Sequence, residues 1–169
     1  MIWSVNQRAR DYIRALSGRP DATAVLRGDP KHPRLRAVVR FYQTREGVLV
    51  LAEAAGLPDQ GGPCGGGVFA FHIHEGGACS GTLADPFADT LGHYNPNGCP
   101  HPYHAGDMPP LFSSGGRAFL VFLTDRFKVA DVVGKTVVIH AGRDNFTSQP
   151  SGDSGAKIAC GVIKAERAS

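Results

Sequence analysis

The chain predicts an all-β domain, an antiparallel sandwich or barrel of about eight strands carrying two long functional loops. Three observations support this. From residue 22 onward, short runs rich in branched and aromatic residues follow one another at close intervals without helical patterns between them. Glycine, at 22 of 169 residues, stands at about twice average usage. With 12 prolines, it favours turns and ordered loops over long helices. Two stretches, 76–114 and 141–156, are rich in Gly, Pro, Asp, Asn and Ser. Loops this long inside a compact domain are usually functional or disordered.

In chain order, Asn6–Leu16 places Ala9, Tyr12, Ile13 and Leu16 at helical spacing. A short helix fits, although an irregular packed arm is the simpler expectation, and Gly18-Arg19-Pro20 ends it. Residues 1–21 are therefore read as an N-terminal arm and 22–169 as the domain. Ala22–Leu26 opens the strands. Leu35–Tyr42 and Val48–Ala52 follow, joined by Gln43-Thr44-Arg45-Glu46-Gly47, a loop of hairpin length. Val68–Glu75 is a fourth run. Arg117–Thr124, Thr136–His140 and Lys157–Ile163 supply three more, with Phe127–Val133 an eighth strand or a short turn.

A chain of 169 residues suits one domain and buries about two-thirds of its unfolded surface, so it needs no metal merely to collapse. The net charge of +3 comes without any Lys/Arg block, so no nucleic-acid partner is expected. It suits a small anionic substrate. Apolar runs are too short to cross a membrane. Met1–Pro20 has scattered arginines and no apolar stretch of the secretory type, so a cytoplasmic location is expected, or a periplasmic or extracellular one if a signal segment has been removed.

The chemistry lies in the histidines. Six of the seven, all but His32, fall in or beside the two long loops. His72 and His74 stand two apart on a strand, so their side chains share a face and form half of a preorganised metal site. His101, His104 and Asp107 are spaced by three, and in a tight turn they project together. Pro102 disfavours regular helix at His101. Two imidazoles and a carboxylate suit zinc. His93 precedes His101 in Gly92-His93-Tyr94-Asn95-Pro96, and His140 closes the strand Thr136–His140.

Taken in order, Phe71-His72-Ile73-His74-Glu75, Gly92-His93-Tyr94-Asn95-Pro96, Gly106-Asp107-Met108-Pro109, Val137-Val138-Ile139-His140-Ala141-Gly142 and Ala159-Cys160-Gly161-Val162-Ile163 resemble the copper/zinc superoxide dismutase family, of bacterial type, from about Ala22 to the end. The resemblance implies a Greek-key β-barrel that converts superoxide to dioxygen and hydrogen peroxide, with copper alternating between two oxidation states. It implies copper on His72, His74, His93 and His140, and zinc on His93, His101, His104 and Asp107, with His93 bridging the metals. Asp144 matches the residue that ties His72 to His101 by hydrogen bonds. Cys79 and Cys160 match the family disulfide. A homodimer is compatible with the family, but no interface carries over.

Two cysteines fall outside the pattern. Cys64 and Cys99 form a second disulfide, stay free thiols, or leave Cys99 as a zinc ligand; pairing is the favoured expectation. Two departures stand beside the complete ligand set. Lys157 occupies the position of the family's anion-guiding arginine, which keeps the charge and loses the guanidinium fork; Arg143 is expected to substitute in part. Only Pro102 and Tyr103 separate His101 from His104, a shortened zinc loop. The expectation is a slower enzyme. A non-catalytic or weakly active copper/zinc-binding protein on the same fold is the alternative.

Overall fold

The computed structural model describes residues 5–166; the first four residues of the predicted arm and the last three of the domain lie outside them. The elements are α1 (Val5–Ser17), β1 (Ala22–Gly28), β2 (Arg36–Gln43), β3 (Val48–Ala55), β4 (Gly67–Phe69), β5 (Phe71–His74), β6 (Leu111–Ser113), β7 (Arg117–Thr124), α2 (Val129–Val132), β8 (Thr136–His140) and β9 (Lys157–Ala165). Every strand pairing is antiparallel.

Seven strands form one sheet in the order β5-β8-β9-β1-β2-β3-β7, and β4 pairs with β6. β4 runs into β5 through Ala70 alone, and β6 runs into β7 through the turn bridged by Ser114 and Arg117. Pairing of β4 with β6 therefore joins the two edges of the curled sheet. That closure covers much of the edge which would otherwise template aggregation, and leaves the outer edge of β5 for a loop to occupy.

Alternation along the strands builds the core. Ala22, Ala24 and Leu26 of β1 and Ala37, Val39 and Phe41 of β2 point inward, while Val25 and Arg27 point out. Phe41, Phe69, Phe71, Ile73, Leu111, Ile139, Ile158 and Ile163 fill the interior. The hairpin β2–β3 turns at Thr44–Gly47, as its spacing indicates, with Thr44 N–H donating to Gly47 O at 2.7 Å.

Three expectations change and one alternative is resolved. The N-terminal segment is a helix, α1, rather than an irregular arm. The single run Val68–Glu75 splits at Ala70, because its halves pair with different strands. β6 emerges inside the stretch read as loop. Within Phe127–Val133, of the two readings the short turn holds and not the strand, as the single helical turn α2: Val129 and Val132, three apart, share the buried face, and Phe127 meets Phe41 edge-on at 6.3 Å.

Candidate metal centre

β5 is buried along its whole length, but its two faces do different work. Phe71 and Ile73 enter the barrel core, so His72 and His74 must point to the outer face. β8 repeats the pattern beside it: Val137 and Ile139 face in, and His140 sits at an irregularity in the β8–β9 register. The loops 75–110 and 141–156 cover this outer face.

The free edge of β5 recruits the first loop. Ile73 N–H donates to Gly106 O at 2.8 Å, Tyr94 N–H to Ile73 O at 2.9 Å and Glu75 N–H to Gly92 O at 2.9 Å. These bonds satisfy backbone groups that would otherwise be orphaned. They also set His93 opposite His74 and Asp107 opposite His72. Gly106 is required for the approach, since a Cβ there would stand 2.2 Å from Ile73 O.

The result is two groups of four ligand atoms, His72/His74/His93/His140 and His93/His101/His104/Asp107, each within 4.8 Å of one another. His93 belongs to both. Its Nδ1 lies 2.7 Å from Asp107 Oδ1 and 3.3 Å from His104 Nδ1. Its Nε2 is buried with no hydrogen-bond partner. Asp107 Oδ2 lies 3.0 Å from His101 Nδ1 and 3.3 Å from His104 Nδ1.

The outward-facing bonds of the rings assign their tautomers. His72 Nε2 and His101 Nε2 meet Asp144 Oδ2 and Oδ1 at 2.8 and 2.9 Å. A carboxylate only accepts, so both Nε2 atoms carry hydrogen and both Nδ1 lone pairs are free. Those Nδ1 atoms are buried without hydrogen bonds. His74 Nδ1 donates to Leu91 O at 2.8 Å and His140 Nδ1 to Gly155 O at 3.2 Å. Their Nε2 atoms then face one another at 3.2 Å. Orphaned, convergent lone pairs inside a fold are costly without a cation, and carboxylates or carbonyls behind metal-binding imidazoles are the usual support. The donor set fits copper on the first group and zinc on the second.

Burial pushes His72 down to about 4, against the opposing bond to Asp144, and pushes His140 down to about 3, helped by the charge of His72. Burial likewise lowers His74 and His104. Burial acts to raise Asp144, yet the bonds from His72, His101 and the Phe146 N–H hold it below the usual carboxylate range. Neutral imidazoles and ionised carboxylates are the forms that bind metal. A linked prediction follows for the metal-free chain. Histidines depressed in the folded state take up protons on unfolding, so stability falls as pH drops from the ordinary value of 6.5 towards about 4. Asp144 adds a further loss below the ordinary carboxylate value. Urea midpoints of metal-free protein between pH 7 and pH 4 test this; a flat profile contradicts it.

A cavity of about 390 Å³ opens onto the site, lined by His74, His93, His140, Ser151, Gly155 and Lys157 among others. Lys157 thus reaches the mouth, donating to Asp85 Oδ2 at 3.2 Å and Phe87 O at 3.1 Å. Arg143 does not. It is exposed and lines a separate depression with Gln60, Gly65, Val68 and Phe112, because its neighbour Asp144 is turned inward to the rings. Cys79 and Cys160 form a disulfide with Cα atoms 5.6 Å apart. Cys64 and Cys99 are free thiols, not a pair. Cys64 lies in a short turn beside β4, and Cys99 is held at its backbone by both polar atoms of the Asn95 side chain. Asp85 and Gln149 were missed from sequence, since acids and amides in loops carry no periodic signal.

The model for copper/zinc superoxide dismutase matches residues 35–163. Among curated proteins, a Cu-Zn superoxide dismutase of Legionella pneumophila is 36% identical over 154 residues, covering 85% of this chain and 87% of that protein. Superoxide dismutase (Cu-Zn) 2 of Aquifex aeolicus is 34% identical over 139 residues, covering 73% and 76%. Among solved structures, a double mutant of a SOD-like protein from Bacillus subtilis superposes with a TM-score of 0.68 at 26% identity, covering 85% of this chain and 97% of that one. No helix among the described residues is long and apolar enough to cross a membrane. With most of its length matched by the family model and by relatives that are themselves covered over most of their length, this chain belongs to the copper/zinc superoxide dismutase family.

Proposed function

We propose that this protein is a superoxide dismutase in which His72, His74, His93 and His140 hold copper, and His93, His101, His104 and Asp107 hold zinc. The observation that carries the reading is His93. One imidazole offers its unpartnered Nε2 to the first group and its Nδ1 to the second. A ring shared in this way would let a single side chain take part in holding both metals. Copper, when bound, supplies the one-electron oxidation and reduction that dismutation requires, while zinc keeps one oxidation state.

The chain's own residues do the rest. Two superoxide anions and two protons give one dioxygen and one hydrogen peroxide. When it is not ligating a metal, His93 Nε2 is placed to hold one of those protons while Nδ1 stays on the Asp107 side. Asp144 orients His72 and His101 from behind. Lys157 offers the positive charge at the mouth that draws a small anion in. Two of its N–H groups are engaged by Asp85 and Phe87 O, so the third is left for substrate. The reading needs a small anion as partner and calls on neither nucleic acid nor a membrane.

The test is metal loading followed by a superoxide decay assay. One copper and one zinc per chain with superoxide-dependent turnover supports the reading; zinc alone after purification from copper-replete medium argues against it. A weakly active copper/zinc-binding protein is the second reading, favoured by the Asp85 carboxylate that offsets the Lys157 charge. The two separate through substitution. Asp85→Asn keeps an acceptor and removes the negative charge, so kcat/KM is expected to rise several-fold at low salt, and the gain to shrink at high salt. Lys157→Ala is expected to lower kcat/KM and flatten its salt dependence, and Lys157→Arg to raise turnover. Rates unmoved by all three changes remove Lys157 from the mechanism.

A further inference from the structure

We propose that Gln149 and Arg126 are positioning residues that hold the short turn carrying His101, His104 and Asp107 in ligand geometry before zinc arrives. The proposal rests on the zinc reading of that group. The turn's own hydrogen bonds are few: Tyr103 N–H donates to Pro100 O at 2.8 Å, Asp107 N–H to His104 O at 3.2 Å and His104 N–H to Asp107 Oδ2 at 3.0 Å, and none of them holds the His101 backbone. Only two residues separate the histidines, and Pro102 contributes no donor.

Outside groups complete it. The Gln149 side-chain Oε1 accepts from His101 N–H at 2.9 Å, and its Nε2 donates to His101 O at 2.7 Å. One planar amide thus saturates both backbone groups of a candidate ligand from 48 residues away. A carboxylate in its place accepts but cannot donate. From a different segment, the connection between β7 and α2, Arg126 Nη1 reaches Pro102 O at 2.9 Å, His104 O at 3.2 Å and Asp107 O at 3.3 Å. Three carbonyls converge on one cationic nitrogen, the stronger kind of hydrogen bond.

Neither side chain belongs to a ligand group, so neither acts on metal or substrate directly. Their effect is on the backbone. Ordering the turn in advance removes that entropy cost from metal binding. Gln149 and Arg126 thereby supply from two flanking segments the restraint that a longer loop would build internally. Because Gln149 shares its loop with Asp144, the same contact also ties the Asp144 segment to the His101 backbone.

The experiment uses the full chain and its Gln149→Ala, Gln149→Glu, Arg126→Met and Arg126→Lys variants. Zinc affinity is read by competition with a chromophoric chelator. Cobalt(II) in the second group reports ligand geometry by its visible absorption, and thermal unfolding is followed without metal. Gln149→Ala and Arg126→Met are expected to weaken zinc roughly 10–100-fold, the range known for supporting residues, with an altered cobalt spectrum. Gln149→Glu and Arg126→Lys, which keep part of the contact, should fall between these variants and the parent. Unchanged zinc affinity in both truncations overturns the proposal. So does a loss that merely follows a lowered midpoint of the metal-free chain, which marks general loosening. A parent chain that binds no zinc in this group overturns the zinc reading itself, a separate outcome.

Discussion

Replacing Asp144 with alanine is expected to weaken copper and zinc together, each by about 10–100-fold, or roughly 1.4–3 kcal/mol per metal. The side chain is almost wholly buried, at 1% exposure. Its two oxygens take one N–H from each group, His72 at 2.8 Å and His101 at 2.9 Å, and Oδ1 also accepts the Phe146 N–H at 2.7 Å. Removal leaves two buried imidazole N–H groups without acceptors and frees both rings to change tautomer. Gly152 makes room for this carboxylate, since a Cβ there would stand 2.0 Å from Asp144 Oδ1. Asp144→Asn is expected to fail as well, because its amide presents a donor to one of two rings that both donate. Separate competition titrations for each metal test this. A ligand change confined to one group, such as His104→Ala, serves as the contrast. Copper affinity untouched by Asp144→Ala shows that the two groups are not tied through this residue.

Removing the disulfide, by Cys79→Ser with Cys160→Ser, is expected to lower the stability of the metal-free chain by about 4 kcal/mol. Its cysteines are 81 positions apart, and closing a loop of that size restricts the unfolded chain by about 4–5 kcal/mol in the entropy model. That is a large share of the roughly 5–15 kcal/mol typical of a domain. A functional loss should accompany it. Cys79 and Cys160 pack with Phe87 and Val138, and Phe87 O and Asp85 hold the Lys157 ammonium. Untying this corner lets Lys157 drift from the mouth. Denaturation of metal-free protein, with and without reductant, measures the first effect, and the salt dependence of kcat/KM the second. A change of less than about 1 kcal/mol, at the bottom of the range for disulfides, contradicts the prediction.

Most strands were legible because alternation is a local signal: β1, β2, β3, β7, β8 and β9 all stand where apolar residues alternate or cluster. β6 escaped because three residues carry too little periodicity. The break at Ala70 escaped because the change of partner between β4 and β5 is decided by strands far away in sequence. α2 stayed open between strand and short turn since Phe127–Val133 has too few residues to separate a period of two from one of three or four.

At the site, residue types and spacing nominated His72, His74, His101, His104 and Asp107, and the family resemblance added His93, His140 and Asp144. Metal ligation draws on few side-chain types, and β-strand geometry forces His72 and His74 onto one face. Tertiary structure alone decided the rest. It brought loop residues 92–107 to the free edge of β5, turned Arg143 away, left Cys64 and Cys99 unpaired, and set Asp85 against Lys157. It also set Gln149 and Arg126 against the turn after Cys99. These last contacts join side chains to backbone or to single charges across 19 to 72 positions, and such hydrogen bonds depend on where the folded chain returns, which no local pattern records.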